Sequence, residues 1–135
     1  MMNIHYPALL ISKLSMSKRI LICDDDSDIL SICQFILEEI GLEVYTRNNC
    51  NNIISVVDEV KPDVILMDNW IPDTGGIIAT RMIKQHPEFK KIPVIYFSAN
   101  TDIKLLAHEA GADSYLAKPF DINDLEKAIA GARVA

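Results

Sequence analysis

Residues 20–30 read ILICDDDSDIL: a short apolar run, Ile20 to Cys23, that stops at three consecutive aspartates, Asp24, Asp25 and Asp26. An apolar run of this length bounded by polar residues reads as a strand buried on both faces. The period then changes. Ile29, Ile32, Cys33, Ile36 and Ile40 fall on one helical face, and Gly41 follows as a C-terminal stop. The aspartate triplet sits at the junction, where each carboxylate disfavours ionisation of its neighbour unless a cation, a cap or solvent relieves it.

The same alternation recurs along the chain. Further strand-length runs are LEVYT (42–46), VILM (64–67), VIYF (94–97) and SYLA (114–117). Between and after them, helical spacing predicts helices near 51–60 (Ile53, Val56, Val57, Val60, then Pro62), 76–86 (Ile78, Met82, Ile83, then Pro87), 102–110 (Leu105, Leu106, Ala110, then Gly111) and 122–132 (Leu125, Ala128, Ile129). Strict β-α alternation predicts an α/β fold, a five-stranded parallel sheet doubly wound by five helices. VILM and VIYF are apolar enough to be its most enclosed strands.

A chain of 135 residues, 50% hydrophobic and 24% charged, has room for one globular domain with its own core. Thirteen Lys and Arg against 19 Asp and Glu give a net charge of -6, and no basic block exceeds Lys18-Arg19 or Lys90-Lys91. Nucleic-acid binding, which depends on neutralising phosphates, is not expected. Cys23, Cys33 and Cys50 are odd in number and lack CxxC spacing, so buried reduced thiols and a cytoplasmic location are expected. The first 17 residues, MMNIHYPALLISKLSMS, hold one apolar run, Ala8 to Ile11, too short for a membrane span and without a basic n-region. Residues 1–17 are expected to be a disordered extension, with Met16 a natural alternative start, and residues 18–135 the folded domain.

In open parallel α/β sheets, ligands bind beyond the carboxyl ends of the strands. That rule gathers Asp24, Asp25 and Asp26 after the first strand, Asp68 after the third, Ser98 after the fourth and Lys118-Pro119 after the fifth. Any one of these has an ordinary explanation as a cap, a turn or a solvated charge. Together, at matching ends of four strands, they form a site. Clustered carboxylates suit Mg²⁺, which takes a couple of carboxylates, waters and a phosphoryl oxygen. Asp68 is then placed to act as a nucleophile toward phosphorus, while Lys118 and the Ser98 hydroxyl hold phosphoryl oxygens. His5, His86 and His108 share neither metal-ligand spacing nor a strand end.

In order and spacing, ILICDDD, VILMDNWIPDTGG, VIYFSA and SYLAKPF resemble the receiver domain of two-component response regulators, of the CheY-like single-domain kind, from about Lys18 to Ala132. The resemblance implies a flavodoxin-like fold with strand order 2-1-3-4-5. It implies Asp68 as phosphoacceptor, Asp25 as a direct Mg²⁺ ligand with Asp24 its partner, and Trp70 as a ligand through its backbone carbonyl. Ser98 takes the switch-hydroxyl position, Tyr115 the switch aromatic, and Lys118 the family lysine, whose bond to Pro119 is commonly cis. Pro72 and Gly76 match the turn after the acceptor, Asp73 and Thr74 fill variable positions, and Trp70 and Asn100 are expected to tune phosphoryl lifetime.

The implied function is phosphoryl acceptance from a histidine kinase or histidine phosphotransfer protein. A separate downstream target would then be controlled through the surface of helix four, strand five and helix five. With the predicted last helix so near the C-terminus, no attached output domain is expected; a monomer is the simplest state, without membrane or nucleic-acid partners and without multiple-turnover activity on an external substrate. Two rivals remain: a haloacid-dehalogenase-like phosphatase using Asp24-x-Asp26, in which Asp28 and the short chain are departures, and a docking module that is never phosphorylated.

Overall fold

The computed structural model describes residues 18–69 and 75–134. The expectations placed on residues 1–17 and on Trp70, Pro72, Asp73 and Thr74 lie outside them. Ten elements alternate: β1 (Arg19–Cys23), α1 (Ser27–Glu39), β2 (Glu43–Arg47), α2 (Ile53–Val60), β3 (Val64–Asp68), α3 (Gly76–Gln85), β4 (Val94–Ser98), α4 (Ile103–Ala110), β5 (Ser114–Ala117) and α5 (Ile122–Val134). All strand pairs are parallel, in the order β2-β1-β3-β4-β5. This is the doubly wound flavodoxin-like arrangement expected from the sequence. No helix among the described residues is long and apolar enough to cross a membrane.

Alternate side chains of the central strands feed two cores. Ile20, Ile22, Leu66, Ile95 and Phe97 pack with Leu30, Leu37, Leu125 and Ile129 beneath α1 and α5. Leu21, Cys23, Ile65, Met67, Val94 and Tyr96 pack with Ile53, Val57, Ile83 and Ala107 beneath α2, α3 and α4. Every residue of β3 and β4 is buried, whereas β2 at one edge has none buried. Burial of each large aliphatic side chain contributes about 1.5–3 kcal/mol, so the fully enclosed central strands and the helix faces packed on them both carry the fold's apolar stabilisation.

In three helices the predicted inward face is only partly the buried one: Cys33, Ile40, Ile83 and Ala110 are buried as expected, but other members of each set turn outward. In α1 the buried residues are Leu30, Cys33 and Leu37, while Ile32 and Phe35 stand exposed. That helix carries apolar residues on adjacent stripes, and spacing alone cannot choose between them. In α3, Gly76, Ala79, Thr80 and Ile83 face the sheet and Ile78 and Met82 face out. In α4, Ile103, Ala107 and Ala110 are buried and Leu105 is exposed. Small residues recur on the inward faces of α3 and α4, and at the start of α3 the approach to the sheet is close: a Cβ on Gly76 would lie 2.0 Å from the Asp68 carbonyl oxygen. The stop after α4 does follow expectation, with Gly111 in the left-handed region at φ 81°.

Strand ends also shift slightly. β3 and β4 each run one residue beyond the apolar run, so Asp68 and Ser98 are the last residues of paired strands, in register with Phe97 and Ala117. Sheet pairing thereby fixes the backbone under both functional groups. All three cysteines are buried free thiols, as expected.

A candidate phosphoacceptor and metal site at the strand ends

At the carboxyl edge of the sheet, Asp24, Asp25, Asp26, Asp68, Asn69, Ser98, Asn100 and Lys118 line one open cleft of about 360 Å³. It is built by β1, β3, β4 and the loop after β5, four of the five strands. Ligand oxygens of Asp24, Asp25 and Asp68 all lie within 4.8 Å of one another. Asp24 and Asp68 are buried and Asp25 is exposed, so the set is enclosed at its base and open to solvent at its mouth. A cluster of hard oxygens with one open side is the donor set that a small divalent cation retaining several waters requires.

The triplet that opens the site divides into different tasks. The Asp24 backbone N–H donates to the Arg47 carbonyl at 3.1 Å, which ties its position to β2. Its Oδ1 accepts the Asp26 N–H at 2.9 Å, and its Oδ2 accepts the Lys118 ammonium at 2.8 Å. Asp26 is the N-cap of α1: its Oδ1 accepts the N–H groups of Asp28 at 2.9 Å and Ile29 at 3.4 Å. Such a cap satisfies helix-end donors that have no intrahelical partner. Asp25, between them, projects its carboxylate toward the solvent side of the cluster.

Lys118 closes the charge of the site. Its Nζ donates to Asp24 Oδ2 and to Asp68 Oδ1, each at 2.8 Å, and lies 4.5 Å from the centroid of the Phe97 ring. The Lys118 N–H donates to the Ser98 carbonyl at 2.9 Å, and the bond to Pro119 is cis. Burial pushes the Asp24 carboxyl up from its ordinary value, and the Lys118 and Asp26 hydrogen bonds only partly offset that. Burial would lower the Lys118 ammonium, but its hydrogen bonds to Asp24 and Asp68 and their charges together outweigh it and hold the pKa above the ordinary value. Lys118 therefore stays charged, while Asp24 carries the cost of a buried anion.

The remaining predicted residues separate into those the cleft gathers and those it does not. Ser98 is buried at the rim, where its Oγ accepts the Asn100 N–H at 3.1 Å; Asn100 Oδ1 in turn accepts the Asp102 N–H at 2.8 Å. Tyr115 is 45% exposed on the edge strand and does not line the cleft. Trp70 lies outside the described residues.

Two contacts were not legible in advance. One is the Phe97 ring beneath the ammonium. The other is a hydrogen bond from the buried Tyr96 hydroxyl to Asn69 Oδ1. Burial, and then the charge of Asp68, push the Tyr96 phenol well above its ordinary pKa, so it stays a donor. Both aromatics sit in the apolar run VIYF and read as core; the only signal was their position immediately before Ser98.

Solved structures share this architecture. A putative response regulator from Chloroflexus aurantiacus superposes with a TM-score of 0.83 at 26% identity, over 88% of this chain and 99% of the other. A response regulator receiver domain protein from Clostridium thermocellum is 32% identical, with a TM-score of 0.77 over 87% of this chain and 94% of the other. The receiver domain of a sensor histidine kinase from Pseudomonas aeruginosa, which has a magnesium ion coordinated in its active-site cleft, matches at 25% identity and a TM-score of 0.80, over 88% of this chain and 99% of that one. The family model for the response regulator receiver domain matches residues 20–130. With that match spanning most of the chain and the strand-end carboxylates and lysine in one cleft, the protein belongs to the response regulator receiver domain family.

Proposed function

We propose that this receiver accepts a phosphoryl group on Asp68 from a phosphohistidine of a histidine kinase or histidine phosphotransfer protein. The observation that carries this is Lys118 bridging Asp24 and Asp68 beside an exposed Asp25. It presents a nucleophile, a cation site and a fixed ammonium within one cleft. In the transfer, an Asp68 carboxylate oxygen attacks phosphorus and the bond from phosphorus to the donor imidazole breaks. The electron pair returns to the ring nitrogen, leaving an acyl phosphate on Asp68.

Mg²⁺ fits the donor set, with Asp24, Asp25 and Asp68 holding it and the Trp70 carbonyl as the further ligand that the family pattern supplies. When bound, it would neutralise charge on the phosphoryl oxygens. Lys118 carries a charge that persists at neutral pH, and can exchange one carboxylate for a phosphoryl oxygen without leaving the cleft. The Ser98 hydroxyl, at the end of β4, turns toward another phosphoryl oxygen. Tyr115 follows into the space it vacates and reshapes the surface of α4, β5 and α5, through which a separate target is controlled. This is a shift between two populations, one of which binds the phosphoryl group better. Asn100 and Trp70 tune the lifetime of the adduct. On this reading the chain is a phosphoacceptor that assists its own phosphorylation and dephosphorylation, not a multiple-turnover enzyme. The phosphatase reading gains no support, because the family model and the similar solved structures are those of receiver domains.

Incubation with Mg²⁺ and phosphoramidate, followed by mass measurement and adduct mapping, tests the proposal. A labile phosphate on Asp68 that is absent in Asp68→Asn is expected. An adduct on Asp24 with sustained phosphate release, or no adduct from the small donor or a cognate kinase, overturns it.

A further inference from the structure

Asn69, the residue after the acceptor, is tied at three points. Its N–H donates to the Phe97 carbonyl at 3.2 Å and its carbonyl accepts the Gly76 N–H at 3.4 Å. Its side-chain Oδ1 accepts the hydroxyl of Tyr96, a residue with 0% exposure. With Oδ1 taken, the carboxamide keeps two donors on Nδ2. Those donors have no protein partner among the described residues, on a side chain that lines the acidic cleft. Tyr96, Phe97 and Ser98 thus each serve the site from one stretch of β4: Tyr96 holds Asn69 on one face, Phe97 underlies Lys118 on the other, and Ser98 ends the strand at the rim.

We propose that Tyr96 is a positioning residue that orients the Asn69 carboxamide so that its Nδ2–H₂ donates to a phosphoryl oxygen at Asp68. This rests on the phosphoacceptor reading above. It adds a neutral donor from the β3 side of the cleft to the ammonium of Lys118 and the hydroxyl of Ser98. A buried phenol in a sheet is a firmer support for a loop amide than water, because the strand fixes its ring.

The rate of phosphate uptake from phosphoramidate at saturating Mg²⁺ tests this in the wild type, Tyr96→Phe, Asn69→Ala, the double variant and Asn69→Asp, with Mg²⁺ affinity measured in each. Tyr96→Phe and Asn69→Ala are each expected to slow uptake by about fivefold, the equivalent of one neutral hydrogen bond. The double variant should be no slower than Asn69→Ala alone, since both changes remove one contact. Mg²⁺ affinity should not change in Tyr96→Phe. Asn69→Asp keeps the acceptor for Tyr96 but has no amide donor, and should be at least as slow as Asn69→Ala. Wild-type rates in Tyr96→Phe or Asn69→Asp, or effects that multiply in the double variant, overturn the positioning role and leave the phosphoacceptor reading standing. A wild-type protein that takes no phosphate on Asp68 overturns both.

Discussion

Replacing Lys118 with methionine keeps a stem of similar length over Phe97 and removes an ammonium that meets both buried carboxylates at 2.8 Å. Breaking a buried ion pair by deleting one partner costs about 3–5 kcal/mol. The open cleft lets water reach the exposed side, so a loss of about 2–4 kcal/mol is expected without Mg²⁺ at pH 7. That corresponds to a fall of roughly 8–16 °C in Tm for a domain of this size. The pH dependence follows from Asp24, whose folded pKa is raised. For such a group the stabilising contribution is present below the unfolded value, about 3.9, and is lost as pH rises through the folded value. Without the ammonium that folded value climbs further. The variant's deficit is therefore greatest at neutral pH and narrows on acidification. Urea denaturation of both proteins across that range measures it, with equal slopes confirming that the same surface unfolds. Mg²⁺ should stabilise the variant more than the wild type, since it supplies the missing positive charge. A difference under about 1 kcal/mol at pH 7, the range of a surface pair, or a deficit that widens toward acid, refutes the reasoning.

Other perturbations separate the roles of neighbouring residues. Saturating Mg²⁺, at about 100 times its dissociation constant, should stabilise the wild type by about 2.7 kcal/mol in thermal melts, and Asp25→Asn should need at least about tenfold more metal for the same shift. Asp26→Ala removes the α1 cap and should cost about 1 kcal/mol in urea, with Mg²⁺ affinity changed far less than in Asp25→Asn. Gly76→Ala forces a Cβ to 2.0 Å from the Asp68 carbonyl oxygen, so a loss of at least about 2–3 kcal/mol is expected, together with slower phosphate uptake. The sole tryptophan, Trp70, provides a fluorescence readout for Mg²⁺ titrations, and an emission unchanged by Mg²⁺ would count against its carbonyl as a ligand.

The alternation of periods carried the fold, because a parallel sheet buried on both faces leaves unbroken apolar runs, too short for helices, between segments of helical spacing. VILM and VIYF, the clearest runs, became the two fully buried strands. The strand-end rule carried Asp24, Asp68, Ser98 and Lys118 to one cleft. Helix faces were less legible. Spacing points Ile32, Ile78 and Leu105 inward, yet they lie outward: α1 buries Leu30 and Leu37 on an adjacent stripe, and close approach of α3 and α4 to the sheet favours Ala79 and Ala107 over larger side chains. Tyr96 and Phe97 were hidden for the opposite reason: their burial is that of core residues, and only the fold shows which polar group meets each ring.

The distance along the chain between the partners of Lys118 has its own consequence. Lys118 lies 94 residues from Asp24 and 50 from Asp68, and it follows β5, the last strand and an edge of the sheet. In a fragment cut before β5, any pairing of β1 with β3 would bring the two acids together without Lys118 set between them. Electrostatic balance thus arrives with the final strand. On the proposed reading, a cleft able to take up phosphate exists only once β5 has joined the sheet and brought Lys118 to the two acids.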